Sequence, residues 1–152
     1  CFHRIDADDP FFDGDEVKKS MNLLNKKKYD IVFPSEESSN GLASVGFSIK
    51  SEAIYKLHEE YSGNIDTEYI WEFIKDLPSL NCCILGNNNY KKIIVRLTLD
   101  YLEDYEMLNL LRQKVGNFAN REVIYNELEK SPELIDINLF RNHDFLKNQR
   151  RK

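Results

Sequence analysis

No run of apolar residues in this chain approaches the length a membrane-spanning helix needs, and no signal-peptide pattern opens it. These absences predict a cytoplasmic protein with no membrane partner. Positive charge is in deficit too: a net charge of −5 disfavours a nucleic-acid backbone, which selects basic surfaces. A small anionic ligand stays compatible with that balance, because a bound metal supplies positive charge locally. Cysteine is scarce and odd in number, and Cys82 and Cys83 are adjacent inside a short apolar run. They read as buried strand thiols in a reducing compartment, and no metal-ligand spacing involves them. His3, His58 and His143 are scattered, so neither a histidine metal centre nor a nucleophile–base pair can be read. Internal repeats and low-complexity tracts are absent.

What is present describes an ordinary globular domain. The 152 residues suffice for one buried core, and 41% apolar with 31% charged residues is the usual soluble composition. Residues 1–5 read as a buried strand that ends near Asp6. Asp13, with Glu16 three positions on, reads as a helix N-cap, and Val17, Met21 and Leu24 fall at helical spacing behind it. Lys26, Lys27 and Lys28 then complement the helix C-terminal dipole. Residues 29–33 and 45–49 read as strands. Ser51 is placed as the cap of a helix with Ile54, Leu57 and Tyr61 inward. Asp66 is placed as the cap of another, with Tyr69, Ile70, Phe73, Ile74 and Leu77 inward; Trp71 falls outside that stripe and either packs under a loop or meets a second subunit.

Residues 80–85 and 92–99 bracket the turn-rich Gly86-Asn87-Asn88-Asn89, a hairpin pattern. A marked helix follows Asp100, acidic at its start (Glu103, Asp104) and basic at its end (Arg112, Lys114), with Gly116 beyond. Its expected inner stripe is Tyr101, Tyr105, Leu108, Leu111 and Val115. Asn120 caps a helix carrying Val123, Ile124 and Leu128, and Ser131-Pro132 opens another. The alternation of strands and helices predicts an α/β domain over residues 1–138 and a basic, fraying tail over 139–152.

Two acidic knuckles, ninety-two positions apart, carry the chemistry: Arg4-Ile5-Asp6-Ala7-Asp8-Asp9-Pro10 and Arg96-Leu97-Thr98-Leu99-Asp100. Each places a carboxylate after a short apolar run read as a buried strand. Ligands of open α/β sheets gather beyond the carboxyl ends of strands, so Asp8 and Asp100 are candidates to share one divalent cation. Hard oxygen donors suit Mg2+, which binds through one or two carboxylates while phosphate and water complete its shell. Each aspartate has a plainer alternative: Asp8 as turn chemistry before proline, Asp100 as the N-cap of the following helix. Asp6 could share a strand face with Asp8. Arg4 and Arg96 read as structural ion-pair partners or solvated groups. An EF-hand starting at Asp6 fails, because Pro10 and Phe11 stand at ligand and glycine positions.

At these residues the chain resembles the cytidylyltransferase family that includes spore coat polysaccharide biosynthesis protein F, whose wider relatives make CMP-activated sugars. Asp8-Asp9-Pro10-Phe11-Phe12-Asp13 is similar to its aspartate-x-proline segment. Arg96-Leu97-Thr98-Leu99-Asp100 with Glu103 and Asp104 is similar to its second signature, and Ser131-Pro132-Glu133-Leu134 with Asn138 to its C-terminal pattern. The resemblance covers about residues 2–138. It implies a nucleotide-diphospho-sugar transferase-like, Rossmann-like mixed sheet, CTP and a sugar as substrates, and Mg2+ at Asp8 and Asp100. The family's glycine-rich nucleotide loop would lie upstream of Cys1, so a fragment is expected, with negligible CTP turnover by itself. Tyr101 and Leu102 stand where the family has threonine-proline, Ala43 and Val45 where it has acidic residues, and only Glu68 matches its arginine-glutamate-histidine segment. The alternative these departures favour is a non-catalytic interaction module of the same fold, such as a homodimer built around Trp71.

Overall fold

Short runs of Phe, Ile, Val and Cys form the strands, side chains suited to a pleated, half-buried surface. In the computed structural model, which describes residues 1–26, 28–35, 46–61, 70–75, 77–86 and 93–149, these are β1 (Phe2–Arg4), β2 (Ile31–Phe33), β3 (Phe47–Ile49) and β4 (Cys82–Ile84). They make one sheet in the order β1-β3-β2-β4. β3 is antiparallel to β1 and to β2, whereas β2 and β4 run parallel, Ile31 opposite Cys82 and Phe33 opposite Ile84. The protein is therefore mixed α/β with a small mixed sheet. Features expected at Lys27, residues 36–45, 62–69, 87–92 and 150–152, and the Trp71 side chain, lie outside the described residues.

The chain divides into two compact units. The first gathers Cys1–Arg4, Asp15–Ser35 and the described part of Gly46–Gly86, and so holds the sheet. α2 (Ser51–Glu60) and α3 (Ile70–Lys75) bury Ala53, Leu57 and Ile74 with Ile31, Phe47 and Ile49. Ser51 is the first helical residue rather than the cap; Lys50 occupies the N-cap position. A smaller cluster joins Leu24 of α1 (Gly14–Asn25) to Val32 and Leu85. Glu16, Ser20 and Leu24 are the buried positions of α1, so its inner face is turned from the expected Val17–Met21–Leu24 stripe. The cause is polar. Ser20 Oγ meets Ser48 Oγ at 2.7 Å, and Ser48 Oγ meets His3 Nδ1 at 2.8 Å, a chain of hydrogen bonds that links the helix to two strands. Asp30 knots the same sheet: its carboxylate accepts from the Asn81 N–H and the Lys50 ammonium. Burial alone would raise the Asp30 pKa, but these donors hold it below its usual value.

The second unit gathers Ile5–Gly14 and the described part of Asn87–Lys152. It is built from α4 (Leu102–Val115), α5 (Arg121–Lys130), α6 (Glu133–Asp136) and α7 (Arg141–Gln149). Its core is Val95 and Leu97 with Met107, Leu111, Ile124, Leu128 and Leu134. The expected hairpin does not form: β4 pairs with β2, and residues 93–97 belong to no strand. Val95 and Leu97 of this apolar run pack among the helices instead of pairing in a ladder. Asn120 caps α5 as expected, its Oδ1 accepting from the Val123 N–H at 3.0 Å. Asp13 stands just before α1, and its Oδ2 accepts the first N–H of α5, from Arg121, at 3.0 Å. Residues 141–149, expected as part of a tail, are helical.

On α5 Val123 is exposed, while Tyr125 takes a buried place beside Ile124 and Leu128. Replacing Leu128, fully buried in the second unit's core, by alanine should cost about 2–5 kcal/mol in urea denaturation. Val123→Ala should stay within about 0.5 kcal/mol. Equal losses at the two positions would contradict this assignment of the helix face.

Candidate functional site

The two acidic knuckles, remote in sequence, meet through the backbone. The Leu99 N–H donates to the Asp8 carbonyl oxygen at 2.9 Å, so the turn carrying Asp8 and the one carrying Asp100 are neighbours within the second unit. The first turn is closed by the Asp9 N–H donating to the Asp6 carbonyl at 3.2 Å. β1 has already ended at Arg4, so strand alternation does not relate Asp6 to Asp8. Asp8 is exposed, whereas Asp9 is buried.

Asp100 is fixed from beneath by Arg96, a guanidinium only 2% exposed. Arg96 Nη2 donates to Asp100 Oδ2, and Arg96 Nε and Nη2 donate to the two oxygens of Asp104 at 2.9 and 3.0 Å. Arg96 is thus the ion-pair partner its position suggested. Asp104 is fully buried, and every bond it accepts has a purpose. Its Oδ2 takes the backbone N–H groups of Asp100 and Tyr101, closing the start of α4, and its Oδ1 takes the Asn138 side-chain N–H at 2.9 Å. Asn138 also donates to the Arg96 carbonyl. Asp100 is therefore not the N-cap: Tyr101 holds that position, and Asp104 reaches back from inside the helix to satisfy the donors. The same anchor turns the inner stripe of α4 to Asp104, Met107, Leu108 and Leu111, leaving Tyr105 mostly exposed.

Aromatic rings clamp this knot. The Arg96 guanidinium lies 5.2 Å from the Tyr101 ring centre and 5.0 Å from that of Phe145. Arg141 lies 5.0 Å from the Tyr101 ring centre and 5.1 Å from that of Phe140. Arg141 also grips Glu103 with two nitrogens, at 2.7 and 3.0 Å, and Asp144 with one. The Arg141 hydrogen bonds hold the Glu103 carboxyl below its ordinary pKa, and those to Glu103 and Asp144 push the Arg141 guanidinium up. Asn138 was read as part of a C-terminal pattern; the Arg96–Asp104 pairing behind it was not. An arginine eight residues before an aspartate carries no local periodic signal.

Beside the turns lies a groove of about 230 Å³, also within the second unit. Pro10 and Leu99, close in sequence to Asp8 and Asp100, form part of its wall with Phe11, Tyr105 and Leu108. Its polar end is Arg112, whose Nη1 donates to Asn117 Oδ1 at 3.2 Å and whose Nη2 donates to Asn109 Oδ1 at 3.1 Å. Sequence reasoning took Arg112 only as a charge suited to a helix end; the Asn109–Arg112 spacing of three was the available signal.

Among the described residues, no group of three or more His, Cys, Asp or Glu side chains gathers to hold a metal. An all-protein cage is not built there. What the structure does show is Asp8 and Asp100 on adjacent turns, and Mg2+ in general is held by one or two carboxylates with phosphate oxygens and water completing the shell. Arg96 offsets one of the nearby negative charges, leaving Arg96, Asp100 and Asp104 together at −1. No family model matches the chain, and no curated protein or solved structure matches it either.

Asp104→Asn should destabilise the protein by about 3–5 kcal/mol in chemical denaturation, since it leaves a buried guanidinium short of its counter-charge. Asp8→Asn, on an exposed turn, should change stability by no more than about 0.5 kcal/mol. Acid should act through Glu103. Its folded pKa is depressed, so its contribution is complete above the unfolded value of 4.5 and is lost as pH falls through the folded one. Stability of Arg141→Gln should therefore fall less steeply than wild type on acidification below about pH 4.5. Parallel pH curves for the two proteins would remove Glu103–Arg141 as the source.

Proposed function

We propose that the chain is part of a CTP-dependent nucleotidyltransferase that activates a sugar in the cytoplasm for surface polysaccharide synthesis. In this reading the mixed sheet belongs to a nucleotide-diphospho-sugar transferase-like, Rossmann-like fold, and Asp8 and Asp100 bind Mg2+. The observation that carries it is the Leu99-to-Asp8 backbone hydrogen bond, which sets the two acidic turns side by side. The ordered Arg-Leu-Thr-x-Asp signature, its arginine locked to Asp104, adds support. Cytidine as the base rests on the family resemblance.

In such a transfer a sugar hydroxyl oxygen attacks the α-phosphorus of CTP, the bond to the bridging oxygen of the β-phosphate breaks, and pyrophosphate leaves. Catalysis then depends chiefly on positioning and on neutralising charge. A bound magnesium ion would supply the positive charge that draws electron density from the phosphate oxygens. The chain's own residues do the rest of the holding. Asp8 and Asp100 offer the oxygen ligands, Arg96 fixes the orientation of Asp100, and Asp104 with Asn138 fixes Arg96.

Titration calorimetry with CTP tests this reading, with and without Mg2+. Binding should require the cation, and Asp8→Asn and Asp100→Asn should each weaken it about tenfold, the loss of one charged contact. The double variant should lose less than the two single losses combined, because both groups would serve one ion. Affinity indifferent to both substitutions would retire the reading. The second reading, an interaction module with a homodimer as its simplest form, is favoured by apolar side chains left outward on the second unit, Leu102 at 69% and Phe118 at 99% exposure. Concentration-dependent sedimentation together with silence towards CTP would select it.

A further inference from the structure

We infer that the groove ending at Arg112 is a binding site for a small oxyanion carried on a ring or other apolar body. This inference does not rest on the nucleotidyl-transfer reading, since neither the cation nor CTP enters it.

Arg112 is held in place by the end of its own helix and the residue beyond it. α4 ends at Gly116, whose φ of 85° lies in a region that favours glycine, and the chain turns there so that Asn117 follows immediately. Asn117 Oδ1 takes an N–H from one terminal nitrogen of Arg112, and Asn109 Oδ1, one turn back along α4, takes an N–H from the other. A freely solvated arginine has no need of two amide partners; here the planar group is oriented before any ligand arrives. A guanidinium carries five N–H donors. Two are used, and each terminal nitrogen retains one more, the fork that a carboxylate or phosphate accepts with two oxygens. The carboxamides spend their oxygens on the arginine, which leaves their NH2 groups as further donors beside it. Among the described residues, Arg112 pairs with no carboxylate, and the side-chain NH2 groups of Asn109 and Asn117 donate to no acceptor.

Every polar side chain at this end of the groove thus presents donors, in a protein whose net charge is negative. The remaining wall is apolar, with Leu99 and the Tyr105 ring both partly open to solvent and Pro10 beside them. A bare inorganic anion would satisfy the donors and leave that wall wet. A neutral ring would cover the wall and leave the charge without a partner. The ligand that answers both is a ring bearing a carboxylate or a phosphate, and about 230 Å³ accommodates a single such ring.

The test uses the full chain with nitrogen-15 label, reading the side-chain amide signals of Asn109 and Asn117 by NMR. Titrants are benzoate, phenyl phosphate, inorganic phosphate and benzyl alcohol. Benzoate or phenyl phosphate should move both amides saturably, and the tighter of the two tells which oxyanion the fork prefers. Inorganic phosphate should bind at least about tenfold more weakly, and benzyl alcohol should give no saturable shift. Arg112→Gln, a substitution at an exposed position, should keep the native spectrum and weaken the aromatic oxyanions about tenfold. Inorganic phosphate matching phenyl phosphate would overturn the proposal, reducing the groove to a surface charge. Binding that survives unchanged in Arg112→Gln would overturn it as well. The comparison between titrants needs no variant, so the inference stays testable even if the substitution disturbs α4.

Discussion

The contact between Arg96 and Asp104 is the one on which the second unit depends. Both side chains are out of water, which costs each charge several kcal/mol of hydration. Such a pair adds little net stability compared with apolar packing, yet either member alone would be a severe fault. What it supplies is definition. One carboxylate closes the start of α4, orients a guanidinium, and holds the Asn138 side chain, so three segments of chain are fixed relative to each other by a single group. An apolar pair of similar volume would fill the space without setting any of those angles.

From that definition follows the placement of Asp100. Arg96 serves two carboxylates, but they differ in circumstance: Asp104 is enclosed and saturated, while Asp100 sits at the surface and shares only one guanidinium nitrogen and a long contact to Thr98. The buried aspartate is structural, which leaves its exposed neighbour the one able to meet a ligand. The turn carrying Asp8 is joined to this one by a backbone hydrogen bond from the Leu99 N–H to the Asp8 carbonyl. The groove continues from the same turns toward Arg112 and reverses the sign of the local charge. One unit thus offers an acidic end and a basic end joined by an apolar wall.

How far the sequence foretold this depends on the range of the forces involved. Asn120 was readable because a cap acts within three residues, and the α/β class was readable because strand and helix periods differ. The N-cap alternative for Asp100 fails because Asp104, one turn inside, takes the same donors while the buried Arg96 holds it there. The inner faces of α1 and α4 were each turned by a polar partner from another segment, Ser48 for one and Arg96 for the other. Apolar periodicity has no means of registering such partners. Residues 93–97 form an apolar run like a strand's, yet Val95 and Leu97 pack in the helical core, because a short apolar run reports burial and not a ladder. Of the candidate site, the two acidic turns were picked out from residue type and position; the Arg112 cluster depends on a chain reversal at Gly116 and was not.

The stacked rings and guanidinium groups have a bearing on how the polypeptide can be trimmed. α7 is nine residues long, too few to persist as a helix in water without neighbours. Its order comes from Phe145 lying over Arg96 and from Arg141 wedged between Tyr101 and Phe140 while gripping Glu103. A protease cutting before Arg141 would strip the lid from a charge that the interior cannot tolerate wet on one side only. α7 is accordingly a keystone of the acidic corner, and shortened versions of the protein should be drawn to retain it.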